Sequence, residues 1–174
     1  SDLCITPVSA PENHYVRIKA DNRLEADGTL RGTFTLTAEG QSDSNIRRIF
    51  TTGFQSEWKS TMERQLLAIS PKARLLSVDY GKNPKDYQAA PIKITFRYEI
   101  PDYALKGEGE MFFRPMVMNN LYNQVRSYMW IDTSVENRKY GFKDACSRLV
   151  ELDETVQLPA GYKLVSAVKD ETMQ

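Results

Sequence analysis

Strict alternation of apolar and polar residues is the feature that most constrains the fold of this chain. Between Ile92 and Ile100 every second residue is apolar, and Lys, Thr, Arg and Glu stand between them. The same period of two recurs at 16–20 and 30–38. Because neighbouring side chains of a strand point to opposite faces, this pattern predicts a β-sheet with one face buried.

Turn residues separate the alternating runs, and further strands are predicted beyond them. Asp27-Gly28 stands between the first two alternating runs and predicts a β-hairpin. Asp153 and Glu154 interrupt a later apolar alternation, which suggests a bulge. The remaining predicted strands are 76–80, 111–113, 150–158 and a final strand ending near Val168, and 128–131 is a candidate for one more.

Between these strands the apolar spacing changes to three and four residues, which predicts an amphipathic helix. Ser42, Asp43 and Ser44 are candidate N-cap residues, and Gly53 marks a break between pieces at about 43–52 and 55–69. The apolar stripe contains Ile46, Ile49, Phe50, Phe54, Trp58, Met62, Leu66 and Ile69.

Together these patterns predict a mainly β fold, with β-sandwich-like antiparallel sheets and a helical insertion at about 43–69. An antiparallel sheet packed by a helix is the related alternative. A length of 174 residues fits one domain. We predict a linker or terminal segment at 1–14, which is rich in proline and small polar residues, and a single β-rich accessory domain at 15–170.

Charge and hydropathy argue against two classes of partner, nucleic acid and a membrane-spanning environment. Lys plus Arg equals Asp plus Glu at 23 each, so no basic excess favours nucleic acid. No apolar run approaches the roughly 20 residues that a membrane-spanning helix needs. The first residues lack the pattern of a signal peptide, although a mature or truncated chain would begin in the same way, so secretion stays open.

Nucleophilic and metal chemistry have few candidate residues. Cys4, Cys146 and His14 are the only cysteines and the only histidine, and their positions indicate no catalytic dyad. A zinc site needs three or four ligands at short spacing, and calcium-loop spacing is also missing. We therefore predict no catalytic residue, no metal and no cofactor. The two cysteines form either one disulfide or two unrelated thiols.

Three pairs of acidic residues could serve acid–base catalysis, but each pair falls in a turn or in a segment predicted to be solvated. Gly107-Glu108-Gly109 has no following helix and no Lys-Ser/Thr, so it is a turn and not a phosphate loop. The acidic pairs are Glu108 with Glu110, Asp153 with Glu154, and Asp170 with Glu171.

Tyr122, Tyr128 and Trp130 form the one stretch that suggests binding. Tyrosine and tryptophan are enriched at recognition surfaces, because they give a large contact area with few rotatable bonds. They are equally common in sheets and cores. The stretch is therefore either core packing or an interaction surface.

Short motifs in a fixed order give the chain a family resemblance. They are Ala26-Asp27-Gly28-Thr29-Leu30-Arg31-Gly32, then Gly40, Ile46-Arg47-Arg48, Asn137-Arg138-Lys139-Tyr140, and Val156-Gln157-Leu158-Pro159-Ala160-Gly161-Tyr162. Over roughly residues 5–168 the chain resembles the C-terminal β-rich accessory domain, of unknown function, in bacterial transglutaminase-like proteins, which are common in Bacteroidetes-type genomes. Gly141 departs from the pattern, since a proline is more usual there.

The resemblance implies a noncatalytic domain that packs against or presents an upstream, papain-like catalytic domain of the same polypeptide. It implies export to the periplasm or the cell surface. No catalytic residue carries over, because neither cysteine matches the catalytic context. Two other functions remain open: a freestanding extracellular module that binds a glycan, peptide or protein, and a small enzyme that uses Cys146.

Overall fold

The computed structural model of the chain describes residues 8–89, 91–117, 139 and 147–165. Two α-helices and seven strands lie within them, together with short 3-10 helices at Pro11–His14 and Gln55–Glu57. The elements are β1 (Tyr15–Leu24), β2 (Leu30–Ala38), α1 (Gly40–Thr51), α2 (Trp58–Leu67), β3 (Arg74–Asp79), β4 (Ile92–Ile100), β5 (Leu105–Lys106), β6 (Met111–Phe112) and β7 (Leu149–Gln157).

Five of these strands form one mixed sheet in the order β3-β4-β2-β1-β7. The pairs β1–β2, β2–β4 and β3–β4 are antiparallel, whereas β7 runs parallel to β1. The strands β5 and β6 pair separately as a small hairpin. The predicted β-rich fold with a helical insertion is confirmed, and the hairpin around Asp27-Gly28 is the β1–β2 pair.

One face of the sheet forms the core, as the alternation predicts. Burial alternates along β1 and β4, so that inward residues are buried and outward residues are mostly exposed. The helices α1 and α2 share this core with the sheet. Near its middle, the rings of Phe34 and Phe96 stack on adjacent strands with centroids 4.3 Å apart.

The helical insertion has two pieces, as predicted, and Gly53 lies in the break between them. Phe54 is the clearest exception within the predicted stripe, because its side chain is 76% exposed. It sits in extended conformation between α1 and the following 3-10 helix, where the helical phase is lost. Ile49 is also exposed, whereas Ile46, Phe50, Trp58, Met62 and Leu66 are buried.

The start of α1 differs from the prediction that Ser42, Asp43 or Ser44 caps it. The backbone N–H of Gln41 donates to Nδ1 of His14 at 3.1 Å, and the Ser42 hydroxyl donates to the His14 carbonyl at 2.9 Å. His14 comes so close that a Cβ on Gly40 would lie 2.3 Å from its Nδ1. Gly40 also has a φ of +61°, so both space and backbone conformation favour glycine there.

Asp43 instead belongs to a buried ion pair. Nε of Arg47 donates to its carboxylate at 2.7 Å, and the backbone N–H of Ile92 donates to the other carboxylate oxygen at 2.7 Å. The Arg47 side chain also donates to the carbonyl of Pro84 at 3.2 Å. This pair therefore joins α1 to the start of β4 and to the loop before it.

Two predictions near the end of the chain are wrong. Asp153 and Glu154 form no bulge, because β7 pairs with β1 in continuous register from Leu149 to Gln157. The register shift lies instead between β3 and β4, at Leu75 and Ser77. Residues 162–165 form no strand, and the rest of the predicted final strand lies outside the described residues.

Replacing Arg47 by Met should lower the free energy of unfolding by about 3–5 kcal/mol, because it leaves the Asp43 carboxylate buried without its cation. Urea unfolding followed by circular dichroism measures the change. The control is Arg48→Met on the exposed side of the same helix, which should change stability by less than about 0.5 kcal/mol. Equal effects of the two substitutions would contradict a structural role for the pair.

Candidate functional site

The aromatic residues predicted as an interaction surface, Tyr122, Tyr128 and Trp130, lie outside the described residues. The same holds for Cys4 and Cys146. Two other features of the described part concentrate polar groups: a polar hub within the sheet's buried face, and the opposite, open face of the sheet.

The polar hub consists of Asn22 on β1, Tyr98 on β4 and Glu154 on β7. The Tyr98 hydroxyl donates a hydrogen bond to Oδ1 of Asn22, and Nδ2 of Asn22 donates to Oε1 of Glu154 at 2.8 Å. Asn22 is 4% exposed and Tyr98 is fully buried. The hydrogen bonds therefore run across the sheet inside an otherwise apolar layer.

Glu154 also binds the backbone of a segment that follows β6. The N–H of Met116 donates to its Oε1 at 2.9 Å, and the N–H of Val117 donates to its Oε2 at 2.8 Å. Both residues are fully buried. The hydroxyl of Tyr103 holds the same segment by donating to the Arg114 carbonyl at 2.8 Å. Glu154 thus fixes this segment to the sheet through two backbone amides.

The sequence-based interpretation of Glu154 as a solvated acid is wrong, whereas Glu108, Glu110 and Asp153 are exposed as expected. One signal in the sequence pointed to its role. Glu154 stands between Leu152 and Val156 at the same period of two, so it occupies an inward position of its strand. A carboxylate at such a position needs hydrogen-bond donors.

Tyr98 of the hub and the neighbouring Tyr103 both have raised pKa values. Burial raises the pKa of Tyr98 above its ordinary value, and the Glu154 carboxylate raises it further. Burial followed by the same carboxylate raises the pKa of Tyr103 to about 12. Both hydroxyl groups therefore remain hydrogen-bond donors across the physiological pH range.

Gly32 makes room for the hub. It lies on β2 between Asn22 and Tyr98, which are its partners on either side. A Cβ at this position would lie 2.0 Å from Oδ1 of Asn22 and 2.6 Å from the Asp21 carbonyl. The Tyr98–Asn22 hydrogen bond consequently passes over a strand that lacks a side chain at this point.

A separate aromatic cluster packs α1 and α2 against the residue after β3. The Tyr80 ring lies 5.7 Å from Phe50 and 5.4 Å from Trp58 in edge-to-face arrangements. The Trp58 indole N–H donates to the Phe50 carbonyl at 3.3 Å. The Tyr80 hydroxyl is buried, but no protein group in the described residues bonds to it. This tyrosine is thus a natural comparison for Tyr98.

The open face consists of the outward side chains of the three central strands. Thr33, Thr35 and Thr37 line β2, and Thr95 of β4 lies opposite Thr35, with hydroxyl oxygens 3.1 Å apart. These threonines are half-buried between longer, exposed side chains. The other members are Arg17, Lys19, Asp21 and Arg23 on β1, Arg31 on β2, and Lys93, Arg97 and Glu99 on β4.

Charges on the open face are only partly paired. Glu151 on β7 binds Arg17, and Glu99 lies 3.5 Å from Arg31. Among the described residues, no carboxylate oxygen lies within 4.0 Å of the charged nitrogens of Lys19, Lys93 or Arg97. Three cations therefore project from this surface with solvent as their main surroundings.

Within the described residues, no helix is long and apolar enough to cross a membrane, and no cluster of three His, Cys, Asp or Glu side chains is arranged for a metal ion. No protein-family model, curated protein or solved structure matches the chain. The resemblance to transglutaminase-like proteins therefore stays a prediction.

Replacing Tyr98 by Phe should lower the free energy of unfolding by about 1–3 kcal/mol, because it leaves the Asn22 carbonyl oxygen buried without a donor. Tyr80→Phe is the matched control and should be close to neutral, since it removes no intramolecular hydrogen bond. Urea unfolding of both variants gives the comparison. A larger loss in Tyr80→Phe than in Tyr98→Phe would contradict the assignment of the hub.

Tyr98→Phe should also change how the stability of the chain depends on pH. The pKa of Tyr98 is raised in the folded chain. Above a pH of about 10, the unfolded chain therefore loses the phenol proton while the folded chain retains it. The free energy of unfolding should therefore fall as pH rises above about 10, and Tyr98→Phe should make this decline shallower.

Gly32→Ala should lower the free energy of unfolding by about 1–3 kcal/mol or more, because the added methyl group overlaps Asn22 and the β1 backbone. Thermal unfolding monitored by circular dichroism measures it. Gly107→Ala serves as the control, since its nearest contact would be 4.0 Å away. A neutral Gly32→Ala would show that the hub tolerates a side chain there.

Proposed function

We propose that this chain is a noncatalytic accessory domain that packs against, or presents, a transglutaminase- or protease-like catalytic domain of a larger exported bacterial protein. One observation carries the proposal. The described polar side chains best suited to chemistry are bonded to the chain's own backbone, so they serve as structural ties.

His14 and Glu154 illustrate this use of polar groups. His14 accepts the amide of Gln41 in the first turn of α1, and Glu154 accepts two amides of the segment after β6. Asp43 accepts the amide that begins β4. Such bonds favour a rigid body with fixed relative positions of sheet, helices and segment, which suits a domain that presents or orients another.

The family resemblance supplies the identity of the partner and the location. It implies a papain-like domain with catalytic Cys, His and Asp upstream in the same polypeptide, and a location of the whole protein in the periplasm or at the cell surface. The alternative is a freestanding extracellular module that binds a glycan, peptide or protein through Tyr122, Tyr128 and Trp130.

The genomic reading frame that encodes this chain tests the proposal. We expect it to encode a Cys/His/Asp-bearing papain-like domain before Ser1, and that domain, expressed separately, to associate with this chain in isothermal titration calorimetry. A frame without such a domain would contradict the proposal. Glycan or peptide binding that Trp130→Ala abolishes and Trp58→Phe retains would favour the freestanding module.

A further inference from the structure

The open face of the sheet has a charge that the whole chain lacks. The chain has no net formal charge, yet the outward positions of β1, β2 and β4 carry six basic side chains against two acidic ones, Asp21 and Glu99. The flanking strands add the outward acids Asp79 on β3 and Glu151 and Asp153 on β7 at the rim of this surface. The excess of positive charge is concentrated on β1, β2 and β4, which are the central strands of the sheet. A surface of this kind attracts a partner with negative charge.

The outward side chains of β1, β2 and β4 form a straight channel along β2. Short threonine side chains follow β2 at every second position, about 6.8 Å apart, and the long side chains of β1 and β4 rise on either side. Since neighbouring strands lie about 4.8 Å apart, the two flanking rows are separated by about 10 Å. Lys19 stands on one side of this channel, and Lys93 and Arg97 stand on the other.

Side-chain chemistry favours a peptide over a sugar or a nucleic acid in this channel. Stacking of bases uses exposed aromatic rings, and tyrosine and tryptophan are the usual large contacts of recognition surfaces. None of the outward positions from 17 to 23, 31 to 37 and 93 to 99 is aromatic. Tyr15, at the end of β1, is covered by the Arg17 guanidinium 4.0 Å from its ring centroid. Hydroxyl and cationic groups remain, which bind backbone carbonyls and carboxylates.

We propose that the open face docks an extended, acidic segment of a partner protein, which lies along the threonines of β2 and places its carboxylates near Lys19, Lys93 and Arg97. This inference rests on the proposed function in one respect: the segment belongs to the catalytic domain that this chain packs against. The surface itself is defined without that domain, so the two proposals fail in different experiments.

The probe is poly-L-glutamate of about 20 residues, titrated into the isotopically labelled chain and followed by NMR chemical shifts at low salt. We expect shift changes on the outward side of β1, β2 and β4, and weaker binding as salt screens the charges. The variant Lys19→Glu/Lys93→Glu/Arg97→Glu should weaken the affinity about tenfold or more. The single variant Arg97→Gln should weaken it in the same direction, which provides a test if the triple variant does not fold.

The matched control is Lys59→Glu/Lys106→Glu/Lys163→Glu, which changes the net charge equally at exposed positions on α2, on β5 and after β7. It should retain affinity within about threefold, because the substituted residues lie off the open face. Equal losses in both triple variants, or no binding to the unsubstituted chain, would overturn the proposal. Tighter binding of a sulfated oligosaccharide than of poly-glutamate through Lys19, Lys93 and Arg97 would overturn it as well.

Discussion

The hydrogen bonds from Tyr98 to Asn22 and from Asn22 to Glu154 are the constraint on which the sheet's arrangement depends. They connect β4, β1 and β7 and pass over β2 where Gly32 has no side chain. Such groups are costly to bury unless every partner is present. A slip of β7 by one residue would turn Glu154 to the opposite face, so the network penalises the wrong register of a strand that pairs in parallel.

The same network also fixes the position of the segment that follows β6. The carboxylate of Glu154 is the acceptor for the amides of Met116 and Val117, which are buried and need one. The Glu154 contacts and the buried Asp43–Arg47 pair of α1 thus provide polar ties at two junctions between the sheet and a neighbouring segment. Apolar packing supplies most of the burial, while these ties select one arrangement of the elements.

Sequence patterns predicted the local elements well and the long-range contacts poorly. The alternation at Ile92–Ile100 and the Asp27-Gly28 turn are local signals, and the structure confirms both. The pairing of β7 with β1 joins residues more than 130 positions apart, and no local pattern specifies it. The failed prediction of a bulge at Glu154 has a different origin, because the period of two continues from Leu152 to Val156 and places the acid inward. Only its hydrogen-bond donors lie on distant elements.

The ends of the helices show a second limit. Phe54 has helical spacing from Phe50 but lies beyond the end of α1, so the apolar period alone misplaced it. The amide acceptor at the start of α1 is His14, a residue 27 positions before Gln41. Polar residues near the start of a helix, such as Ser42 and Asp43 in the first turn of α1, are only statistical candidates for capping when a distant side chain is closer.

The most direct measurement of the central claim is amide hydrogen exchange at Met116 and Val117 in the unsubstituted chain and in Glu154→Gln. A glutamine side chain has one acceptor oxygen where the carboxylate has two, so one N–H loses its partner. Both amides should be protected in the unsubstituted chain, and at least one should exchange faster by about tenfold or more in the variant. Unchanged exchange at both amides would contradict the role of Glu154 as their acceptor.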